Sequence, residues 1–326
     1  MIYNGSTKII KMGNDNAAYD SAKKVYQYFK PAQQETDWSK EYLTFLALED
    51  GTFKNNHVEL DYSFDGGNTW TTIAANTDTP TVTAGSVMLV RKDGLLPSTY
   101  AQGTFSSTGR FEVMGNPHLS FTGTHIVDAY PSLFSGCTGL TSAENLVLQE
   151  TTLPQGCYRD MFQGCTSLTA APELPAATLA PQCYTGMFDG CTSLTAAPEL
   201  PATTLAEDCY LSMFAGCTSL TTAPALPATT LSTRCYMNMF ALCSSLTEAP
   251  ALPASVLTEQ CYDYMFSSCT SLNYIKMLAT DVSARRCLGD WVYNVASSGT
   301  FVKSASMTTL PTGTSGIPSG WAVIDA

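Results

Sequence analysis

The chain has 326 residues, 44% of them hydrophobic and 13% charged, with a formal net charge of −12. So much apolar material excludes a disordered protein and supplies one large core or two to three ordinary ones. The negative balance, with no basic stripe, excludes a nucleic-acid partner, and no apolar run of about 18 residues offers a helical membrane span.

The first element is the segment 1–35, opening MIYNGSTKIIKMGNDNAAYD. It has no apolar stretch of signal-peptide length and no small-residue cleavage site after one, so the chain is expected to act without Sec export. We assign 1–35 as an N-terminal anchor segment.

Residues 36–125 read as a β-rich, sandwich-like module. YLTFLAL, HVELDYSF, SVMLVRK and GRFEVMG carry strand residues and are separated by Gly, Asn, Asp and Pro. SFDGGNTW, from Ser63 to Trp70, matches the S-x-D-x-G-x-T-W pattern of an Asp-box. Asp65 accepts hydrogen bonds from the turn amides, Gly66 and Gly67 permit positive φ, and Trp70 returns to pack on the hairpin. Sialidases carry several such boxes together with an arginine cluster. Here there is one box and no such cluster, so the reading is a structural hairpin.

From 126 to 287 the chain repeats itself. One cysteine column is Cys157, Cys183, Cys209, Cys235, Cys261 and Cys287, each 26 residues after the last. A second is Cys165, Cys191, Cys217, Cys243 and Cys269, opened one repeat earlier by Cys137. The unit is C-Y-x-x-M-F-x-G-C-T-S-L-T-x-A-P-x-L-P-A-x-T-L-x-x-x. Such a unit cannot bury its apolar face alone, and stacking on its neighbours supplies the core. CYTGMF forms a short helix or turn ended by Gly190, while LTAAPEL is extended. Pro198 and Pro201 cannot donate to a ladder, so short bridges are expected rather than a broad sheet.

Tyr184, Met187, Phe188, Leu194, Leu200 and Leu205 recur in the clean copies and form the predicted core. Thr185, Gly186, Asp189, Glu199 and Ala206 to Asp208 vary, as do Arg159, Asp160, Arg234 and Asp263 elsewhere, and form the predicted surface. The fold class is therefore a mixed α/β repeat solenoid of 26-residue period behind a β module, closed by a C-terminal cap over 288–326.

Three readings of the twelve cysteines compete. Zinc fits poorly, because the spacings are eight and eighteen and the chain has three histidines, so no metal or other cofactor is expected. A disulfide ladder is geometrically conceivable between stacked coils. Buried, reduced thiols are favoured over it, given a chain made without export.

MFDGCTSLT and its sister copies resemble the F-x-G-C-x-S-L signature of BspA-like leucine-rich repeats, found in surface proteins of Bacteroides-type gut anaerobes and in their phages, including the crAss-like group. CTSLTAAPELPATTLAEDCY and the ending GTFVKSASMTTLPTGTSGIPSGW resemble the same family, so the likeness runs from about Ser106 to Ala326. It implies a solenoid used for adhesion or virion decoration and carries over no catalytic residue. MIYNGSTKI resembles the short docking start of phage structural proteins.

The expected function is thus a non-enzymatic virion protein: a head fibre, tail-associated fibre or capsid decoration attaching to a host glycan or protein. Other virion proteins bind its N-terminus, and homo-oligomers follow particle symmetry. The alternative is a secreted bacterial cell-surface adhesin. A carbohydrate-active enzyme is suggested by the Asp-box alone, and His57, His118 and His125 lie in no nucleophile motif. The candidate binding residues are Thr169, Glu173, Thr195, Glu199, Thr221 and Thr247, which stack into polar rows along the extended segments. The competing reading makes these rows the solvated edge of a spacer.

Overall fold

The computed structural model describes residues 36–92, 103–121, 130–148 and 153–326, together with the backbone of four short strands between residues 2 and 28. These are β1 (Ile2–Asn4), β2 (Thr7–Lys11), β3 (Ala17–Asp20) and β4 (Val25–Tyr28), paired as an antiparallel meander. The rest of the expected anchor 1–35, the boundary at 125–126 and His125 lie outside the described residues.

The next strands are β5 (Thr44–Ala47), β6 (Phe53–Asn55), β7 (Leu60–Ser63), β8 (Thr71–Ile73), β9 (Thr77–Asp78), β10 (Val87–Arg91), β11 (Phe105–Ser107) and β12 (Phe111–Gly115). With β13 (Leu140–Leu146) they build two sheets, ordered β13-β12-β5-β10-β7-β8 and β11-β6-β9. Aromatic rings from both sheets interlock. Phe45 of one lies 5.2 Å from Phe53 and 5.0 Å from Phe105 of the other, and Phe53 lies 5.2 Å from Phe111. The one α-helix among the described residues is α1, the single turn Pro117–Ser120, whose Asn116 cap accepts the His118 amide.

β13 already belongs to the repeats, and it pairs in parallel with β12. The module therefore acts as the coil before the first coil. Cys137 donates its thiol to the Phe105 carbonyl at 2.6 Å, as Cys165 does to Phe134 one coil later at 3.1 Å. The Phe105 ring stacks 5.9 Å from Phe134, which stacks 5.6 Å from Phe162. Gly103 permits the join, because a Cβ there would meet the Ser135 backbone. One continuous apolar core results, running from Leu43 to Trp321.

Beyond the join the chain winds as a β-solenoid of about 8 turns. The extended leg of each coil makes isolated parallel bridges, such as Ala196 with Thr222 and Thr178 with Thr204, as its two prolines demand. Broader pairing appears in the last coils, where β14 (Tyr274–Met277), β15 (Thr300–Lys303) and β16 (Ala322–Asp325) contain no proline and form a parallel sheet.

The other half of each coil carries no helix, and this corrects the mixed α/β expectation. CYTGMFDGC is a ribbon of overlapping turns. Amides of alternate residues close turns within the coil: Met187 to the Tyr184 carbonyl at 3.2 Å, Asp189 to Gly186 at 3.0 Å and Cys191 to Phe188 at 3.0 Å. The amides between them cross to the next coil: Tyr184 to the Cys209 carbonyl at 3.0 Å, Gly186 to Leu211 at 2.8 Å and Phe188 to Met213 at 2.9 Å. An α-helix would use all these donors internally and leave nothing to hold its neighbour. Positive φ at every fourth residue, Gln182 (61°), Gly186 (60°) and Gly190 (73°), breaks the right-handed run and turns alternate amides outward.

Side chains stack in register with these bonds. Tyr158, Tyr184, Tyr210, Tyr236 and Tyr262 form one buried column with ring centroids 5.8–6.1 Å apart. Phe162, Phe188, Phe214, Phe240 and Phe266 form another at 5.4–5.7 Å. Both end on Trp291, fully buried, 6.4 Å from Tyr262 and 6.1 Å from Phe266, with Nε1 donating to the Gly316 carbonyl at 2.9 Å. Of the predicted core set, Tyr184, Met187, Phe188, Leu194 and Leu200 are buried, while Leu205 is partly exposed.

Among the described residues, the hydroxyls of Tyr184 and Tyr236 are buried without a hydrogen-bond partner. Removing such a group relieves a desolvation cost, so Tyr184→Phe is expected to stabilise the protein by about 1 kcal/mol. A thermal melt checks this; a loss of similar size would mean that the hydroxyl has a partner in solution.

All twelve cysteines are free and buried. Those of the second column have a structural task. Cys191 and Cys217 each donate their thiol, at 3.1 Å, to the carbonyl of the phenylalanine one coil back. Burial pushes the thiols of Cys137, Cys209, Cys261 and Cys269 up to about 12, so the nucleophilic thiolate is scarce at neutral pH. A thiol-titrating disulfide reagent is expected to find no fast-reacting cysteine in the native protein and all twelve in guanidinium without reductant. Fewer than twelve in denaturant would restore the disulfide ladder.

Candidate functional surface

The solenoid offers two long faces, the extended legs and the turn ribbon. All six residues expected to bind, Thr169, Glu173, Thr195, Glu199, Thr221 and Thr247, are exposed on the legs. The stacking brings the threonines into one row, since the Thr221 amide reaches the Thr195 carbonyl at 3.0 Å and Asn273 reaches Thr247 at 2.9 Å. Their hydroxyls are partly engaged, however. Thr169 Oγ1 donates to the Thr141 carbonyl at 3.0 Å, and Thr221 Oγ1 to Thr195 at 3.2 Å. These protons stitch coils together, leaving hydroxyl lone pairs to face solvent. The glutamate row runs only half the array, because Ala225 and Ala251 take the places after Glu199.

On the ribbon side the structure corrects part of the predicted surface. Asp208 and Asp263 are buried, because the next coil covers each with an arginine. Arg234 Nε donates to Asp208 Oδ1 at 2.7 Å and Nη2 to Oδ2 at 3.0 Å, with Glu207 on the same Nη2 at 2.6 Å. Arg286 grips Asp263 by the same fork, at 3.1 and 3.0 Å, and its guanidinium lies 5.5 Å from the Tyr264 ring. Hydrogen bonds to the carboxylates push both guanidiniums further up. Burial raises the carboxyls of Asp160 and Asp189, at the N-terminal end of the ribbon. No set of three His, Cys, Asp or Glu side chains is placed to hold a metal ion among the described residues.

Sequence reasoning passed over the apolar residues of the ribbon. One column of positive φ holds Gly136, Gly164, Gly190 and Gly216, then Leu242 (65°), Ser268 and Asn294. A second holds Asp160, Gly186, Ser212 and Asn238, then Tyr264 (56°) and Asp290. Leu242 and Tyr293 are more than half exposed. The signal available was departure from the repeat: a leucine where four earlier copies place glycine.

The Asp-box forms the hairpin expected of it, between β7 and β8. Asp65 accepts from the Thr69 amide at 2.9 Å, the Thr69 hydroxyl at 2.6 Å and the Ser63 hydroxyl at 2.8 Å, with Gly66 and Gly67 at φ 72° and 86°. The Thr69 hydroxyl and amide, then Ser63, hold its carboxyl down at about 2. Trp70 closes the turn through Nε1 to the Gly67 carbonyl at 3.0 Å and carries Arg91 over its ring at 4.0 Å. Among the described residues, every hydrogen bond of Asp65 is internal to the hairpin.

No helix among the described residues is long and apolar enough to cross a membrane. The chain matches no family model, no curated protein and no solved structure.

Proposed function

We propose that this chain is a non-enzymatic structural and adhesion protein of a phage virion, a head fibre, tail-associated fibre or capsid decoration. In this reading it displays a leucine-rich repeat solenoid of the BspA-like type toward a host glycan or protein. The observation that carries it is the fusion of base and rod. The β module supplies the first rung, so about 8 turns rise from it on one continuous core. A rod of this kind repeats each surface row once per coil, which suits many weak parallel contacts. The N-terminal strands would dock on other virion proteins, and copies would follow particle symmetry.

The thiol ladder favours the virion over the alternative of a secreted bacterial adhesin. Second-column cysteines use their S–H protons as donors, a task that a disulfide cannot perform, and thiols persist in a reducing compartment. Mass spectrometry of washed, density-purified phage particles is the test. The chain is expected in stoichiometric amount; its absence from particles, with recovery from the surface of uninfected bacteria, would replace the virion by the adhesin.

A further inference from the structure

Resting on that adhesion reading, we propose that the ligand contact is the ribbon patch Leu242, Tyr264 and Tyr293, and that the ligand is a neutral polysaccharide lying along the solenoid axis.

Conformational cost marks Leu242 and Tyr264, and exposure marks Tyr293. A left-handed backbone disfavours bulky side chains, and the four earlier copies place glycine where Leu242 stands at φ 65°. Burial does not offset this, because Leu242 is 57% exposed. Tyr264 sits at φ 56° in a column otherwise filled by Asp, Gly, Ser and Asn. Tyr293 is 54% exposed where other coils carry Gln163, Asp189, Ala215, Ala241 and Ser267. Tyr264 is held in part by the Arg286 guanidinium over its ring, but nothing in the repeat calls for Leu242 at its left-handed φ or for the exposed Tyr293, and such departures on successive coils point to a contact.

Their placement suits a chain ligand. The Leu242 amide bonds the Ser267 carbonyl at 2.8 Å, and the Ser268 amide bonds the Tyr293 carbonyl at 2.7 Å. With the Tyr264 amide on the Gly289 carbonyl at 2.8 Å, the three residues lie on three successive coils, Tyr264 four positions along the ribbon from the Leu242 column, and rings here repeat every 5.7–6.0 Å. A linear glycan offers a similar repeat of apolar C–H faces to leucine and tyrosine, with its hydroxyls toward the ribbon amides of Asn238 and Asn294.

Charge and size choose among occupants. Arg286 is neutralised by Asp263, and Asp290 adds a carboxylate hydrogen-bonded at 2.8 Å to the uncharged Thr314 hydroxyl, so the patch offers no attraction for an anionic ligand. A net charge of −12 repels acidic glycans. A stable protein partner would need roughly 20 residues a side, far more than this patch.

The experiment uses the full chain on a printed array of neutral and sialylated or phosphorylated polysaccharides, with calorimetric titration of the best neutral one. Leu242→Gly is expected to raise the melting temperature by about 2 °C while weakening binding about tenfold. Tyr293→Ala should weaken binding likewise, and Glu59→Ala, at an exposed position of the β module, should leave it unchanged. A lowered melting temperature in Leu242→Gly would make the leucine structural and end the assignment. Normal binding by both patch variants would overturn the patch while leaving adhesion in place. Preference for acidic glycans, or binding to host cells through a protein with no glycan bound, would overturn the ligand. Binding to neither array nor host cells would remove the adhesion reading as well.

Discussion

Phe188→Ala is expected to split the unfolding of the solenoid into two steps. Phe188 is fully buried and stacks 5.4 Å from Phe162 and 5.5 Å from Phe214. Its carbonyl also accepts twice, from the Cys191 amide at 3.0 Å and the Cys217 thiol at 3.1 Å. Truncating a ring in such a site costs about 3–5 kcal/mol, the lost burial plus the cavity left behind. In a stacked array each coil touches only its neighbours, so the loss falls on the two interfaces that flank this coil. The coils before the defect stay joined to the β module through Phe134 and Phe105, whereas those after it keep only their own interfaces and the cap. Urea melts followed by hydrogen exchange should show the segment beyond Phe188 opening first and the segment before it later. A single transition, merely shifted to lower urea, would mean that coupling reaches well beyond nearest neighbours.

The parts of the fold that were legible in the sequence are those set by the period itself. Repetition of Tyr184, Met187, Phe188 and Leu194 marks an inward face whatever the local backbone does, and it also places Trp291 in the methionine column as the odd member. The Asp-box was legible because all its hydrogen bonds close within eight residues, Ser63 to Trp70. The turn ribbon was not. A helix and a run of turns bury the same one-sided pattern, and the positive φ that separates them falls on residues as unlike as Gln182, Asp208 and Arg234. Burial of Asp208 and Asp263 escaped for another reason. The carboxylate looks like surface until an arginine one coil on folds over it, and that partner is set by stacking. The order β13-β12-β5-β10-β7-β8 is equally non-local.

The candidate surface divides along the same line. Exposure of Thr169, Glu173, Thr195, Glu199, Thr221 and Thr247 followed from where the leg alternates. What their hydroxyls do depends on a carbonyl 26 or 28 residues away, as for Thr221 to Thr195 and Thr169 to Thr141. Leu242 shows the converse. A break in a glycine column is visible in the letters, but its meaning needs the φ of 65° and the exposure together.

Trp291→Ala should loosen the array from its other end, by a similar 3–5 kcal/mol. The coil of Cys287 has Leu288 and Val292 where other coils have tyrosine and phenylalanine, so neither column has a ring of its own there. The indole, in the methionine position, meets both Tyr262 and Phe266 and is itself edged by Phe301 at 6.2 Å. Its Nε1 donates to Gly316, which ties the cap to the last coil. Alanine removes these contacts together and leaves the Gly316 carbonyl without that donor. Because the damage lies at a terminus, the expected outcome is fraying rather than a split. Exchange should accelerate over β14, β15 and β16 and through the coil of Cys261, while the coils near the β module keep their protection. Trp291→Phe restores a ring without the donor and should recover most of the protection. If exchange in Trp291→Ala instead rose evenly from the first coil to the last, the plug would matter to the whole rod at once, and stability would not be a sum over neighbouring coils.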